Sequence, residues 1–124
     1  MACGHSVIAK SEPTTVVALF NLKPEYELAD YRSLSLSVIR PGMKKMPSVI
    51  EFRDFAVDPN TMANQLSDWQ ICEVIQITSV AEFRRDNAVF PGVEIVDAWN
   101  KVVESSTVMF MSDLSLNISA HPGQ

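Results

Sequence analysis

The sequence predicts an α+β domain in which four strands and two helices follow the order β-α-β-β-α-β, the ferredoxin-like split arrangement with one four-stranded antiparallel sheet. Three observations carry this. Runs rich in β-branched and aromatic residues recur at 14–23, 47–58, 68–77 and 107–117. A helical stripe lies between the first and second runs. A second helical stripe, announced by a capping-box pattern, lies between the third and fourth.

Taken in order, Thr14 to Lys23 (TTVVALFNLK) reads as the first strand. Pro24 stands where a first helical turn tolerates proline, and Glu25, Glu27 and Asp30 suit the positive end of a helix dipole. Leu28, Tyr31, Ser35 and Val38 then recur at helical spacing, and Pro41-Gly42 is expected to stop or bend that helix. Pro47 to Asp58 is the second strand, closed by the turn signal Asp58-Pro59-Asn60, and the polar stretch to Ser67 reads as a loop. Asp68 to Ile77 (DWQICEVIQI) is the third strand. Ser79 and Glu82 have the spacing of a capping box, Phe90-Pro91-Gly92 interrupts the second helix, and Val96, Trp99 and Val103 resume its apolar stripe. Thr107 to Asn117 is the fourth strand. Residues 1–13 read as a flexible N-terminal tail, 14–117 as the domain, and 118–124 as a C-terminal tail.

Composition narrows the function. The chain has 124 residues, 47% of them hydrophobic, which suits one domain with a real core. A net charge of −5 argues against nucleic-acid phosphate as a partner. No stretch approaches the ~20 apolar residues that span a bilayer, and Met1 to Pro13 lacks the pattern of a secretory signal. With only Cys3 and Cys72, no disulfide framework is expected and a reducing cytoplasm is the default location. Asn117-Ile118-Ser119 therefore reads as a chance glycosylation match. His5 and His121 have no second ligand at a useful helical spacing. The four glycines are ungrouped, so no phosphate loop is formed.

The strands are apolar on both sides, with Val108, Met109, Phe110 and Met111 consecutive. Helices cover one face of such a sheet. The other face needs a cover too, and a second copy of the chain is the simplest, which predicts a homodimer.

Mid-strand polar residues are the candidates for chemistry. Alternation puts Glu51, Arg53, Phe55 and Val57 on one face of the second strand, and Trp69, Ile71, Glu73, Ile75 and Ile77 on one face of the third. A buried charge is costly unless paired, so Arg53 and Glu73 are expected to face each other. Two readings stay open. Either they line a ligand cleft, Glu73 as general base and Arg53 steadying a carboxylate or developing anion, or they are an ion pair that fixes strand register or the dimer. Tyr31 faces the sheet, where its hydroxyl could donate to a substrate carbonyl or simply pack. Asn21 could orient a ligand or satisfy a loop backbone. Trp69 and Trp99 could wall a flat heteroaromatic ligand or belong to the core. Cys72 reads as a small buried hydrophobe, and Met109 and Met111 as dimer packing. The strands hold no histidine, the side chain that titrates nearest neutrality, so a carboxylate, a tyrosine or binding alone must do any acid–base work.

Several stretches resemble one family: Phe20-Asn21-Leu22-Lys23-Pro24 closing strand one, Tyr31 early in the helix, and Pro47-Ser48-Val49 leading to Phe52-Arg53. Trp69 to Thr78 with Glu73-Val74 at its middle, and Ser79-Val80-Ala81-Glu82-Phe83, continue the likeness. Their order and spacing, over about residues 14–116, resemble the RedY/HapK-like proteins of the dimeric α+β barrel superfamily, while the link from Arg40 to Met46 departs from the family's pattern. The resemblance implies a homodimeric tailoring protein of bacterial secondary metabolism, of the kind found in prodiginine and bis-indole pathways. It implies cofactor-independent chemistry, such as directing a cyclisation, on an indole- or pyrrole-containing small aromatic molecule. A carrier that protects an unstable intermediate, and a cofactor-free monooxygenase of the same fold, are the alternatives, and fold alone does not decide among them.

Overall fold

The structure is a computed structural model and describes residues 12–61 and 66–114. Cys3, His5, Asn117-Ile118-Ser119 and His121, along with most of the expected N-terminal tail, all of the expected C-terminal tail and the last residues of the expected fourth strand, lie outside the described residues.

β1 (Thr15–Leu22) is followed by α1 (Leu28–Leu34), a π-helical turn (Ser35–Ile39) and α2 (Arg40–Lys45). Then come β2 (Val49–Ala56), β3 (Ile71–Ile77), α3 (Val80–Asn87), α4 (Gly92–Val102) and β4 (Val103–Met111). The strands form one antiparallel sheet in the order β2-β3-β1-β4. This is the ferredoxin-like arrangement expected from the sequence.

β1 buries Val16, Ala18, Phe20 and Leu22 on alternate positions, and β3 buries Ile71, Glu73, Ile75 and Ile77. Period-two alternation sends these rows to the helix side of the sheet. They meet Tyr31 from α1, Ile39 from the π turn, Met43 from α2, Phe83 from α3, and Ile95 and Val102 from α4. The opposite rows, Val17 and Leu19 on β1, Cys72 and Val74 on β3 and Met109 on β4, form an outer face that no helix among the described residues covers. Among the described residues no helix is long and apolar enough to cross a membrane.

Four local expectations change. The first helix does not stop at Pro41-Gly42. Arg40 N–H reaches back to the Ser35 carbonyl through the wider π turn, and Pro41 falls in the first turn of α2. The buried row of that region is Tyr31, Ser35 and Ile39, while Leu28 is exposed. Gly42 lets α2 approach α4, since a Cβ there would lie 2.5 Å from Ile95 Cδ1.

Second, β3 begins at Ile71, not Asp68, because side chains claim the preceding backbone. Ser67 Oγ accepts from Trp69 N–H at 3.1 Å, and Asn21 brackets Asp68 and Gln70. Third, the Ser79 cap forms, its hydroxyl accepting from Glu82 N–H at 3.1 Å, and Phe90-Pro91-Gly92 parts α3 from α4 as expected. The stripe on α4 sits one residue earlier than expected, with Ile95 buried and Val96 exposed. Fourth, β4 starts at Val103, immediately after α4, and ends at Met111. Ser105 and Ser106 have weak strand character of their own, but pairing with Asn21 and Phe20 draws them into the ladder, with Glu104 at the irregularity between Ser105 and Val103.

Candidate active site

The site is built on the centre of β3. Glu73 lies directly opposite Ala18 on β1 and Asp54 on β2, so all three side chains point to the helix layer. Ala18 is the small residue in a row otherwise made of Val16, Phe20 and Leu22, and the missing bulk leaves space above Glu73. That space is a cleft of about 280 Å³ between sheet and helices, lined by Glu73, Ile75, Phe83, Asn87, Trp99 and Asn100 among others.

Glu73 is 4% exposed. Tyr31 comes down from α1 and its hydroxyl stands 2.6 Å from Glu73 Oε2 and 3.0 Å from Asp54 Oδ2. Ser35, one helical turn along, donates its hydroxyl to the same Asp54 oxygen. Arg40 donates to Asp54 Oδ1 from Nε at 3.2 Å and also from Nη2. The network thus runs Glu73, Tyr31, Asp54, Arg40, from a buried carboxyl to a half-exposed guanidinium. A second cleft, of about 360 Å³, opens at its far end between α1 and the β2 edge, with Tyr31, Ser35, Arg40 and Asp54 in its lining.

The two carboxyls are driven apart. Burial pushes the Glu73 carboxyl up from 4.5 to about 7, the Tyr31 hydrogen bond opposes this, and the Asp54 charge adds to it. Burial acts on Asp54 in the same sense, but the hydrogen bonds from Ser35, Arg40 and Tyr31 together outweigh it and hold Asp54 below its ordinary value. Burial, and then the neighbouring carboxylates, raise the Tyr31 phenol far above its ordinary range, so it stays protonated. One carboxyl that titrates near neutrality beside one that stays ionised is an arrangement able to take up and release protons at neutral pH.

An aromatic row supports the cleft. Phe20, fully buried, meets Tyr31 edge-on at 5.5 Å between ring centroids and Trp99 at 5.2 Å. Trp99 Nε1 is buried without a hydrogen-bond partner.

The other candidates fall elsewhere. Arg53 does not meet Glu73. It sits across from Val74, and the alternation that turns Asp54 inward turns Arg53 to the outer face, where its guanidinium lies 5.0 Å above the Phe55 ring. The expected Arg53–Glu73 pair is therefore replaced by a tyrosine on Glu73 and an Arg40–Asp54 ion pair. Glu51 is exposed beside the irregularity at Val49/Glu51 and lines neither cleft that holds the network. Asn21 spends its amide on the loop before β3, donating to the Asp68 carbonyl at 2.8 Å and accepting from Gln70 N–H at 2.9 Å. Trp69 is half-buried in that loop and lines neither cleft. Sequence reading missed Asp54, Ser35 and Arg40. Their signal was the spacing Tyr31, Ser35, which stacks two hydroxyls on one helix face, and Asp54 beside Arg53 on the opposite parity of the strand. Among the described residues no three His, Cys, Asp or Glu side chains gather as a metal-binding group.

Solved structures share this fold at low sequence identity. HapK from Hahella chejuensis aligns with a TM-score of 0.62 at 19% identity, over 78% of this chain and 90% of that one. A hydroxynitrile lyase from Passiflora edulis aligns with a TM-score of 0.69 at 14% identity, over 82% and 94%. SnoaB, a cofactor-independent oxygenase from Streptomyces nogalater solved as an N63A mutant, aligns with a TM-score of 0.59 at 13% identity, over 82% and 94%. A comparison with curated proteins gives no match. The family model described as REDY-like protein HapK matches residues 14–114, and the chain belongs to that family.

Proposed function

We propose that this protein is a cofactor-independent tailoring enzyme that takes an indole- or pyrrole-containing intermediate into the cleft above Glu73 and directs a cyclisation or related step by proton transfer. The observation that carries the reading is Glu73 itself, 4% exposed yet raised only to about 7, at the wall of a largely apolar cleft. A carboxyl poised near working pH is an effective general base and, once protonated, a general acid. Trp99 and Phe83 offer the cleft flat apolar walls. Holding two reacting atoms in such a cleft adds rate by orientation alone. In this reading burial raises the Glu73 carboxyl and the Tyr31 hydrogen bond tempers the rise, while Arg53, Glu51, Asn21 and Trp69 take no part in the chemistry.

The same reading has two copies of the chain pack outer face to outer face. Val17, Leu19 and Val74 stand half-buried there, and Met109, Met111 and Phe55 are 38%, 41% and 42% exposed. An apolar sheet face of this kind marks an interaction surface, and a self-complementary one closes as a twofold dimer.

The test is incubation of the purified protein, without added cofactor, with bis-indole and pyrrole intermediates, followed by mass-resolved chromatography beside a no-protein control and Glu73→Gln. A product formed by the parent protein and reduced about 100-fold or more in the variant is the expected result. An intermediate that binds and persists unchanged would instead make the protein a carrier.

A further inference from the structure

Tyr31 holds one hydroxyl proton between two carboxyls, at 2.6 Å from Glu73 and 3.0 Å from Asp54. It can donate to only one of them at a time. With Glu73 ionised, the Tyr31 proton points to Glu73. With Glu73 protonated, Glu73 becomes the donor, the Tyr31 oxygen accepts, and the Tyr31 proton turns to Asp54. The protonation state of Glu73 therefore sets the direction of a three-membered chain of O–H···O bonds. The chain joins two clefts that share Tyr31–Glu73 as a partition: Glu73 lines the smaller one, Tyr31 and Asp54 the larger.

We propose that Tyr31 and Asp54 are a proton relay that carries the proton taken up by Glu73 out of the ligand cleft and into the second cleft beside Arg40. This rests on Glu73 being the acid–base group of the proposed function and extends it to how the base is reset while a ligand still fills the cleft above it.

Glu73, having taken a proton from the ligand, transfers it to the Tyr31 oxygen. In the same event the original Tyr31 proton passes to an Asp54 oxygen, so Tyr31 is a neutral phenol before and after. Asp54 then gives the proton to water in the second cleft, leaving both carboxylates ionised and one proton in solvent. The transfer through Tyr31 is concerted, because burial beside two carboxylates strongly disfavours a free phenolate. Asp54 suits the outer end because Ser35 and Arg40 favour its ionised form, so a proton there leaves readily. The charged or titratable groups facing Glu73 are Tyr31 from α1 and Asp54 from β2, with Arg40 of α2 behind Asp54. Cys72, adjacent on β3, points to the other face. The cleft residues of α3 and α4, Phe83, Asn87, Trp99 and Asn100, carry no charge. Tyr31 and Asp54 are thus positioning residues that act through Glu73.

The experiment is carbon NMR across pH 5 to 9 on the full chain labelled at the Glu and Asp carboxyls and the Tyr Cζ. Glu73→Gln, Asp54→Asn and Tyr31→Phe assign the resonances. The expected result is one shared midpoint: Glu73 titrates near neutrality, and Tyr31 Cζ and the Asp54 carboxyl inflect with it. In Tyr31→Phe the Asp54 inflection shrinks severalfold although Glu73 still titrates. Tyr31 and Asp54 resonances that stay flat through the Glu73 midpoint would overturn the relay, as would an Asp54 inflection of equal size in Tyr31→Phe. With a compound that is turned over, Tyr31→Phe and Asp54→Asn should each lower kcat by about tenfold with KM within a factor of two. Unchanged kcat in both variants would also overturn the proposal. A shared midpoint without turnover of any compound would count against the enzyme reading and leave the hydrogen-bond chain standing, so the two failures are distinguishable.

Discussion

Replacing Glu73 by Gln should make the protein more stable above neutrality and remove most of its stability change between pH 5 and 8. In the folded chain the Glu73 carboxyl is pushed from 4.5 to about 7, chiefly by burial. Between those values the folded state holds a proton that the unfolded state has lost. Its contribution is therefore fully present below about pH 4.5 and is lost as pH rises through 7. At about 1.36 kcal/mol per pH unit, the span from 4.5 to about 7 amounts to ~3 kcal/mol. Asp54 acts with the opposite sign and outside this window: its folded value is depressed, so its contribution holds above 3.8 and fades only as pH falls through the folded value. Cys72, raised from 9.0, falls above the window. Gln keeps the shape of Glu73 and can still accept from Tyr31, but it does not titrate. Urea unfolding at fixed protomer concentration, at unit steps from pH 5 to 8, measures the difference. The parent protein should lose ~2.5 kcal/mol across the series, since part of the full span is already lost at pH 5, and Glu73→Gln a small fraction of that. Parallel curves for the two proteins, or a parent protein that gains stability toward pH 8, would refute the placement of a neutral carboxyl at the centre of β3.

Two further outcomes follow from packing. A Cβ at Gly92 would stand 2.2 Å from the Asp86 carbonyl oxygen and 2.8 Å from Asn87 Cα, so backbone has to move to admit it. Gly92→Ala should cost ~1–3 kcal/mol in urea unfolding, and a neutral effect would argue against the tight α3–α4 joint. Val74 sits at the centre of the outer face, opposite Arg53 on β2 and Val17 on β1. Val74→Lys should shift sedimentation from dimer to monomer with the helix-side core intact, and a monomeric parent protein would sink the proposed dimer.

The order of the strands was legible because runs rich in β-branched and aromatic residues are separated by strong punctuation, and burial then alternates cleanly on β1 and β3. Ser79, Pro91 and Gly92 stand where the structure caps and divides helices. What escaped the sequence was pairing between elements far apart along the chain. Glu73 stood out as an unusual mid-strand charge and is buried as such a charge would be, but its partner depends on the register of β2 against β3. Opposite Glu73 stands Asp54, not Arg53, and a slip of one residue exchanges the two faces. Two acids side by side look unfavourable in a sequence. They become tolerable only with Tyr31 and Ser35 above them and Arg40 at the edge, and the reach of Arg40 depends on a π turn that Pro41-Gly42 disguised as a helix end. The start of β3 was misplaced for a related reason. The Asn21 amide and the Ser67 hydroxyl hold backbone groups of residues 68–70 that alternation alone would have assigned to the ladder.

The absence of a strand histidine takes on a different meaning once Glu73 is placed. A histidine titrates near neutrality without help from its surroundings. A glutamate reaches the same range only when the fold desolvates it, and that desolvation costs stability at neutral and higher pH, by the ~3 kcal/mol worked above. For a domain of ordinary stability, ~5–15 kcal/mol, this is a substantial fraction. The centre of β3 can bear it, because the charge is confined to one residue in a row whose other members are Ile71, Ile75 and Ile77, all nearly fully buried. The neighbouring carboxylate is paired with Arg40 and accepts a hydrogen bond from Ser35, which prevents a second acid from adding the same penalty. If the carboxyl were held there for packing alone, Gln or Leu would serve at lower cost, so the strain is itself an argument for a role in proton transfer.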